Sequence, residues 1–306
     1  MADRIATFTQ TNQLILGNTR LQSNYAERQL QVASGFKADN YAGIARDTSR
    51  LLSLESDVDR ITQQAENTQI VADRLDLMYD ALGSILSQTQ KFAADLTSTV
   101  SGFGLQGADL ANVATTNLNR VAGSLNTQIA DRYLFAGSAT QSPPVDLTDP
   151  AWGGQTFILP GPSVADFDYY QGNNYIQNVE AVDGFTIGYG VNADNPALEK
   201  IIRAYDLIIT NPTDQDTLFE ALSVIQAGAD ELAILQATVA QDANTVQAQL
   251  LDNQEEVNLI TAQITTIREV DVAEASVRLK QIETQLEASY TVTSTLLNLK
   301  LSDYIR

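Results

Sequence analysis

Three stretches hold residue types that could do chemistry. SGFGLQG, residues 101 to 107, sets Gly102, Gly104 and Gly107 in a G-x-G-x-x-G spacing. That spacing lets backbone amides approach a pyrophosphate when it follows a strand and opens a helix. Here a helical stretch precedes it, so the phosphate frame is missing and the glycines read as a connection between two helices. Asp73, Asp76 and Asp80 recur at three and four residues, which would set carboxylates on one helical face and could hold a metal. Without a histidine or an adjoining glycine loop, the solvated face of a coiled coil is the better account. Trp152, Tyr169, Tyr170 and Tyr175 could form an aromatic ligand patch, but in a small β-rich segment they are expected as its core. No Ser/Asp/Lys grouping stands out, so neither an enzymatic site nor a cofactor nor a metal is expected.

The composition points the same way. The chain contains neither cysteine nor histidine, which removes disulfides, thiolate nucleophiles, imidazole bases and the usual transition-metal ligands. Its net charge of −20, from 38 acidic against 18 basic residues, repels duplex nucleic acid over most of the surface. With 306 residues, 44% of them hydrophobic, it can build two or three cored domains. The opening MADRIATFTQTNQLILGNTR lacks a continuous apolar core, and no segment approaches eighteen uninterrupted apolar residues. Neither a cleaved signal peptide nor a membrane span is expected.

The elements that must carry these residues are long helices. Leu51, Leu54, Val58, Ile61, Ala65, Thr68, Ala72, Leu75, Tyr79, Leu82, Leu86, Thr89, Ala93, Leu96 and Val100 alternate by three and four residues. This is a coiled-coil pattern, and as one helix it spans about 75 Å. A second seam runs Leu218, Leu222, Ile225, Ala229, Leu232, Gln236, Val239, Ala243, Val246, Leu250, Asn253, Val257, Ile260, Ile264. Its polar Gln236 and Asn253 either favour one register or are simply tolerated. A shorter helix between Leu105 and Ala130 shows Leu110, Ala114, Leu118, Val121, Leu125 and Ile129 on one face. Three stripes that must be hidden imply an antiparallel bundle.

The two ends are amphipathic. Residues 5 to 19 carry no charge, and Val272, Ala275, Leu279, Ile282 and Leu286 recur at coiled-coil spacing. Isolated helices of this kind are marginal in water, so these stripes need each other, the bundle or a neighbouring subunit. Ile5, Phe8, Ile15, Val272, Ala275, Leu279, Ile282, Leu286 and Tyr290 are the candidate assembly interface. From Ser142 to Val191 the chain turns to Gly, Pro, Asp and aromatics, with turn pairs at Gly153-Gly154, Pro160-Gly161, Asn173-Asn174 and Asp183-Gly184 between the runs QTFIL, YIQNV and FTIGY. This is the grammar of a small inserted β-domain. DRYLFAGS leads into it and Asn195-Pro196 restarts helix, so Tyr133, Phe135, Gly137, Asn195 and Pro196 are the candidate domain hinge.

The expected fold is mainly α: a long antiparallel coiled-coil bundle with paired terminal helices and a small inserted β-domain. Residues 1–40 plus 268–306 would form the inner assembly domain, 41–138 plus 193–267 the helical rod, and 139–192 the β-rich outer domain. This order resembles the flagellin superfamily of bacterial axial proteins. QVASGFKADNYAGIA is similar to its turn between the first two helices. DRYLFAGSAT, the stretch YYQGNNYIQNVEAVDGFTIGYGVNADNPALEK, and VDVAEASVRLKQIETQLEASY with LSDYIR resemble the hook-associated protein 3 family, the hook–filament junction proteins, more than flagellin. The opening MADRIATFTQ and YAGIARDTS depart from the family pattern.

The resemblance implies a structural subunit exported without a cleaved signal through the flagellar type III apparatus to the extracellular flagellum. Its partners would be copies of itself in a ring or tube, hook-associated protein 1, flagellin and an export chaperone. Its terminal helices would form an inner tube, with the rods as outer wall and the β-domain facing solvent. A filament-forming flagellin stays open as an alternative, as do a cytoplasmic coiled-coil adaptor and, more distantly, an enzyme in the β-domain.

Overall fold

The computed structural model describes residues 2–44, 46–152, 162–182 and 184–298. The fold is mainly helical with small antiparallel hairpins. Its helices are α1 (Ala2–Ser34), α2 (Thr48–Val100), α3 (Ala108–Leu125), α4 (Pro196–Thr210), α5 (Gln215–Arg268) and α6 (Val272–Asn298). Between α3 and α4 lie the strands β1 (Gln128–Ile129), β2 (Arg132–Tyr133), β3 (Gln177–Val182) and β4 (Phe185–Tyr189). Two compact units are present: Met1–Arg60 with Val257–Arg306, called unit 1, and Ile61–Glu256, called unit 2. The 139–192 insertion, expected from composition as a domain of its own, falls within unit 2.

In unit 2 the 3,4 spacing does become two long helices. The end of α2 (Thr99, Val100) and the start of α5 (Leu218) line one cleft of about 210 Å³, and Gln236 Nε2 on α5 donates to the Tyr79 carbonyl on α2 at 3.3 Å. The pair is therefore antiparallel. One expected seam position differs: Tyr79 is exposed, and Met78, Ile85 and Phe92 are buried instead. The reason is that α2 faces more than one neighbour. Phe92 packs on Tyr205 of α4, ring centroids 4.9 Å apart and tilted by 46°, and Met78 lies against Gly190 after β4. A stripe shared by several partners widens beyond a two-helix seam.

The glycine-rich turn between α2 and α3 is a helix stop. Phe103 N–H donates to the Ser98 carbonyl at 3.0 Å and Gly102 N–H to the Thr99 carbonyl at 2.9 Å, a Schellman pair that needs the positive φ of 87° at Gly102. The third helix is shorter than its apolar spacing suggests. It ends at Leu125, and Ile129 belongs to β1. A tight hairpin follows, with Ala130 and Asp131 both at positive φ (47° and 59°), the geometry of a type I′ turn. No Gly or Asn marks it in the sequence.

FTIGY is β4, whereas β3 takes only the QNV of the expected YIQNV and runs on to Val182; the pair is antiparallel from Gln177 opposite Tyr189 to Glu180 opposite Thr186, and a bulge then sets Val182 opposite Phe185. The expected strand QTFIL and the turn pairs Gly153-Gly154 and Pro160-Gly161 lie outside the described residues. Val145, Tyr169, Val179, Ala181, Ile187 and Tyr189 are buried in the same cluster as the helices. The insertion therefore shares the bundle's core.

Two devices pin the insertion. The Asn126 side chain, at the C-cap of α3, donates to the Val145 carbonyl at 2.9 Å and accepts from its N–H at 3.0 Å. Further on, Glu199 and Arg203 of α4 form a buried ion pair at 2.8 Å. Glu199 accepts from Asp166 N–H at 3.0 Å and Arg203 donates to the Ser163 carbonyl at 2.8 Å, while Glu220 on α5 accepts from Ser163 N–H at 2.9 Å. Both charges of this pair thus have partners, without which their burial would be prohibitive.

Candidate assembly surface

Unit 1 is built around α1 and α6. On α1 the half-buried positions are Leu14, Asn18, Leu21, Tyr25, Arg28 and Val32; on α6 the covered ones are Ala275, Leu279, Ile282, Leu286, Ser289 and Thr293. Both sets alternate by four and three residues, the spacing by which two helices bury one stripe in each other. The pairing is antiparallel: Asn18 Nδ2 donates to Thr293 Oγ1 at 3.2 Å and its Oδ1 accepts from Ser289, while Gln22 Nε2 donates to the Tyr290 hydroxyl at 2.6 Å. Phe36 pairs with Glu269 at the other end.

That other end is a dense corner. Lys37 N–H donates to the Arg268 carbonyl at 2.7 Å, and Val270 N–H to the Gly35 carbonyl at 3.0 Å. The Lys37 ammonium donates to the carbonyls of Thr266 and Ile267 at 2.6 and 3.0 Å, a cation placed on the negative end of α5. The Arg268 guanidinium lies 5.1 Å from the Phe36 ring centroid and 3.2 Å from Glu55. Glu55 also accepts from the Tyr41 hydroxyl at 3.0 Å, and that bond raises the phenol's pKa. Asp271 caps α6, its Oδ1 accepting from the N–H groups of Ala273 and Glu274 at 2.9 and 3.0 Å.

The sequence-expected interface residues separate into two groups. Ala275 and Leu286 are buried and Leu279 and Ile282 half-buried within the α1–α6 stripe. Ile15, Val272 and Tyr290 are exposed. Ile5 and Phe8 belong to α1, and their side chains lie outside the described residues. Away from the paired stripe, α1 exposes Leu16 and Leu30, and α6 exposes Val277, Gln281, Thr284, Ala288, Val292 and Thr295, a run without charge. Asn18, Ser289 and Thr293 were missed by apolar counting, although they continue the same 4,3 spacing past Leu21 and Leu286; the exposed Gln22–Tyr290 pair lies off that spacing. That continuation was the available signal.

The hinge residues lie in unit 2 and are closely tied. Tyr133 is half-buried in β2 and Phe135 is fully buried. The Phe135 carbonyl accepts from Ala193 N–H at 2.9 Å, so exit and return run side by side. Gly137 takes φ +64°, and a Cβ there would stand 2.2 Å from the Asn173 carbonyl oxygen. Asn195 caps α4 by accepting from Ala197 N–H at 3.0 Å, with Pro196 in its first turn.

The remaining sequence candidates behave as framework. Asp73, Asp76 and Asp80 are exposed on α2, and among the described residues no group of three or more acidic side chains is placed to hold a metal. Tyr169 is fully buried, donating to the Ala193 carbonyl at 2.9 Å. Burial, then the nearby Glu199 carboxylate, raises its pKa. Tyr170 and Trp152 are half-buried, and Tyr175 is exposed rather than core. Among the described residues no helix is long and apolar enough to cross a membrane.

Comparison with known proteins places this geometry. Residues 220–305 match the family model of the bacterial flagellin C-terminal helical region. The matched stretch begins within α5 and includes all of α6. The fold is similar to FlgL of Bacillus cereus at 14% identity and a TM-score of 0.53, over 71% of this chain and 99% of that one. It is similar also to a Vibrio parahaemolyticus protein provisionally described as a flagellar hook-associated protein, at 15% identity and a TM-score of 0.56, over 72% and 97%. At these identities the likeness is one of fold. No curated protein matches the sequence.

Proposed function

We propose that this chain is a structural subunit of the bacterial flagellum that joins hook to filament. The observation that carries the reading is the antiparallel α1–α6 pair, whose second member lies in the segment matching flagellin's C-terminal helical region. The work of such a subunit is helix packing rather than bond chemistry. The α1–α6 stripe holds the ends of one chain together. The uncharged outward run on α6 and the exposed Ile15, Leu16 and Leu30 of α1 then meet copies of the chain in a ring or tube. The sequence resemblance to junction proteins supplies the further partners: hook-associated protein 1 on one side, flagellin on the other, and an export chaperone before delivery. It also supplies the route, export to the extracellular flagellum without a cleaved signal. The fold likeness to FlgL and to a hook-associated protein supports this reading.

Deleting the gene tests it. A junction subunit leaves bare hooks and flagellin released into the medium. Persistence of a shortened or altered filament instead favours a filament-forming flagellin, a second reading supported by the match of residues 220–305 to the flagellin model. Locating the chain along purified flagella separates both from a cytoplasmic adaptor.

A further inference from the structure

Two guanidinium groups of unit 2 are largely covered, and their surroundings treat them differently. Arg203 presents its Nε–Nη2 edge to Glu199, with Nε donating to Oε1 at 2.8 Å and Nη2 to Oε2 at 3.2 Å. This is the parallel two-bond pairing that a guanidinium makes with a carboxylate. Arg74 on α2 is only 8% exposed, and its own Nε and Nη2 are both buried without a hydrogen-bond partner. The same recognition edge is answered in one residue and unanswered in the other. Scarcity of acceptors is not the reason, since the chain has 38 acidic residues. Asp73 and Asp76, on either side of Arg74 in sequence, are both exposed, and neither supplies that edge.

The β3–β4 hairpin lies over this stretch of α2. The Arg74 Cζ is 6.0 Å from the centroid of the Tyr189 ring at the end of β4, and Met78, one turn further along α2, lies against Gly190. A ring face attracts the cation, but it gives no acceptor to two N–H groups in the guanidinium plane. Buried donors without acceptors carry the full cost of lost hydration, and the cost is larger on a charged group. A spherical ion meets that edge poorly, whereas a planar oxyanion meets both N–H groups at once. We propose that the Nε–Nη2 edge of Arg74 is a carboxylate-binding site beneath the β3–β4 hairpin, reached when the Tyr189 ring moves aside. The carboxylate comes from a free small acid or from a side chain of another protein. Because the edge is closed to solvent while the hairpin is down, binding and a shift of the hairpin occur together. The site belongs to unit 2 alone and does not depend on what the terminal helices do.

The test follows the arginine Nε–H signals of the ¹⁵N-labelled full chain, the Arg74 signal being identified by its loss in Arg74→Lys. Sodium formate, titrated at an ionic strength held constant with sodium chloride, should move the Arg74 signal saturably. Its midpoint should be no tighter than about 1 mM, the bound for a ligand of three non-hydrogen atoms. The Arg203 signal, whose edge is taken by Glu199, should stay in place. Amide exchange in β3 and β4 should quicken along the same curve, and Arg74→Lys, which keeps the charge but not the fork, should abolish that response. A blocked aspartyl peptide that moves the Arg74 signal at lower concentration than formate identifies a protein side chain as the source, and formate acting where the peptide does not identifies a free small acid. An Arg74 signal that stays still, that moves without saturating, or that moves as far with sodium chloride overturns the proposal. So does hairpin exchange that quickens equally in Arg74→Lys.

Discussion

Asn253, fully buried on α5, donates from Nδ2 to the Ala181 carbonyl on β3 at 3.1 Å, while its Oδ1 accepts from Gln249 at 3.1 Å. A polar residue at a coiled-coil seam position thus fastens the β-hairpin to the bundle. Asn253→Leu should leave the Ala181 carbonyl buried and unsatisfied, at a cost of about 1–3 kcal/mol. Amide exchange should speed up first in β3 and β4. Unchanged protection there would show that the bond contributes nothing to holding the hairpin.

The α1–α6 stripe predicts a unit-selective effect. Leu286 is 8% exposed, so Leu286→Asp places a carboxylate where several kcal/mol oppose it. Exchange protection should fall in α1 and α6 and persist in α3 and α4. Leu279→Asp and Ile282→Asp, at half-buried positions, should weaken the pair less and still block incorporation into flagella. Normal incorporation would remove this stripe from the assembly.

Two glycines should respond in opposite directions to the same substitution. Gly137→Ala meets the Asn173 carbonyl at 2.2 Å and must hold φ at +64°, so a loss of about 2 kcal/mol or more is expected. Gly123, inside α3, has nothing within 4 Å of a built Cβ. There Ala should add about 0.5–1 kcal/mol through helix propensity. Thermal melts of both variants decide it.

Asp206 gives a pH signature. Burial first, and the Asp166 charge second, raise its carboxyl above the ordinary 3.8. A raised carboxyl favours the folded state fully below the unfolded value, and that stability is lost as pH rises through the folded one. Asp206→Asn, neutral throughout, should therefore melt higher than the parent at neutral pH and lose that advantage at about pH 4 and below. Parallel melts at the two pH values are the check, and equal advantage at both would contradict the raised pKa.

Much of this architecture was legible in the order of residues. The 3,4 spacing from Leu51 to Val100 and from Leu218 to Ile264 lies within α2 and α5, because a stripe that long has few other ways to leave water. Its exact edge was not legible. Phe92 meets Tyr205 of α4 and Met78 lies against Gly190 after β4, and those neighbours come from more than a hundred residues away. The type I′ turn at Ala130-Asp131 left no glycine or asparagine to announce it. In unit 1 the apolar half of the α1–α6 stripe stood out. Its polar half, Asn18 against Ser289 and Thr293, looked like solvent-facing residues until the two ends were seen together.

The Asn126 clamp on Val145 and the grip of Glu220 and Arg203 on Ser163 have an evolutionary and practical consequence. The chain between Val145 and Ser163 leaves and rejoins a fixed framework at two independently anchored points. With both flanks held, length inserted between the anchors adds a closure cost of about 0.6 kcal/mol for each doubling. The two anchors thus frame a splice port, where foreign sequence, an epitope or a lineage's own surface variation, can be carried while the helices that hold them keep their register.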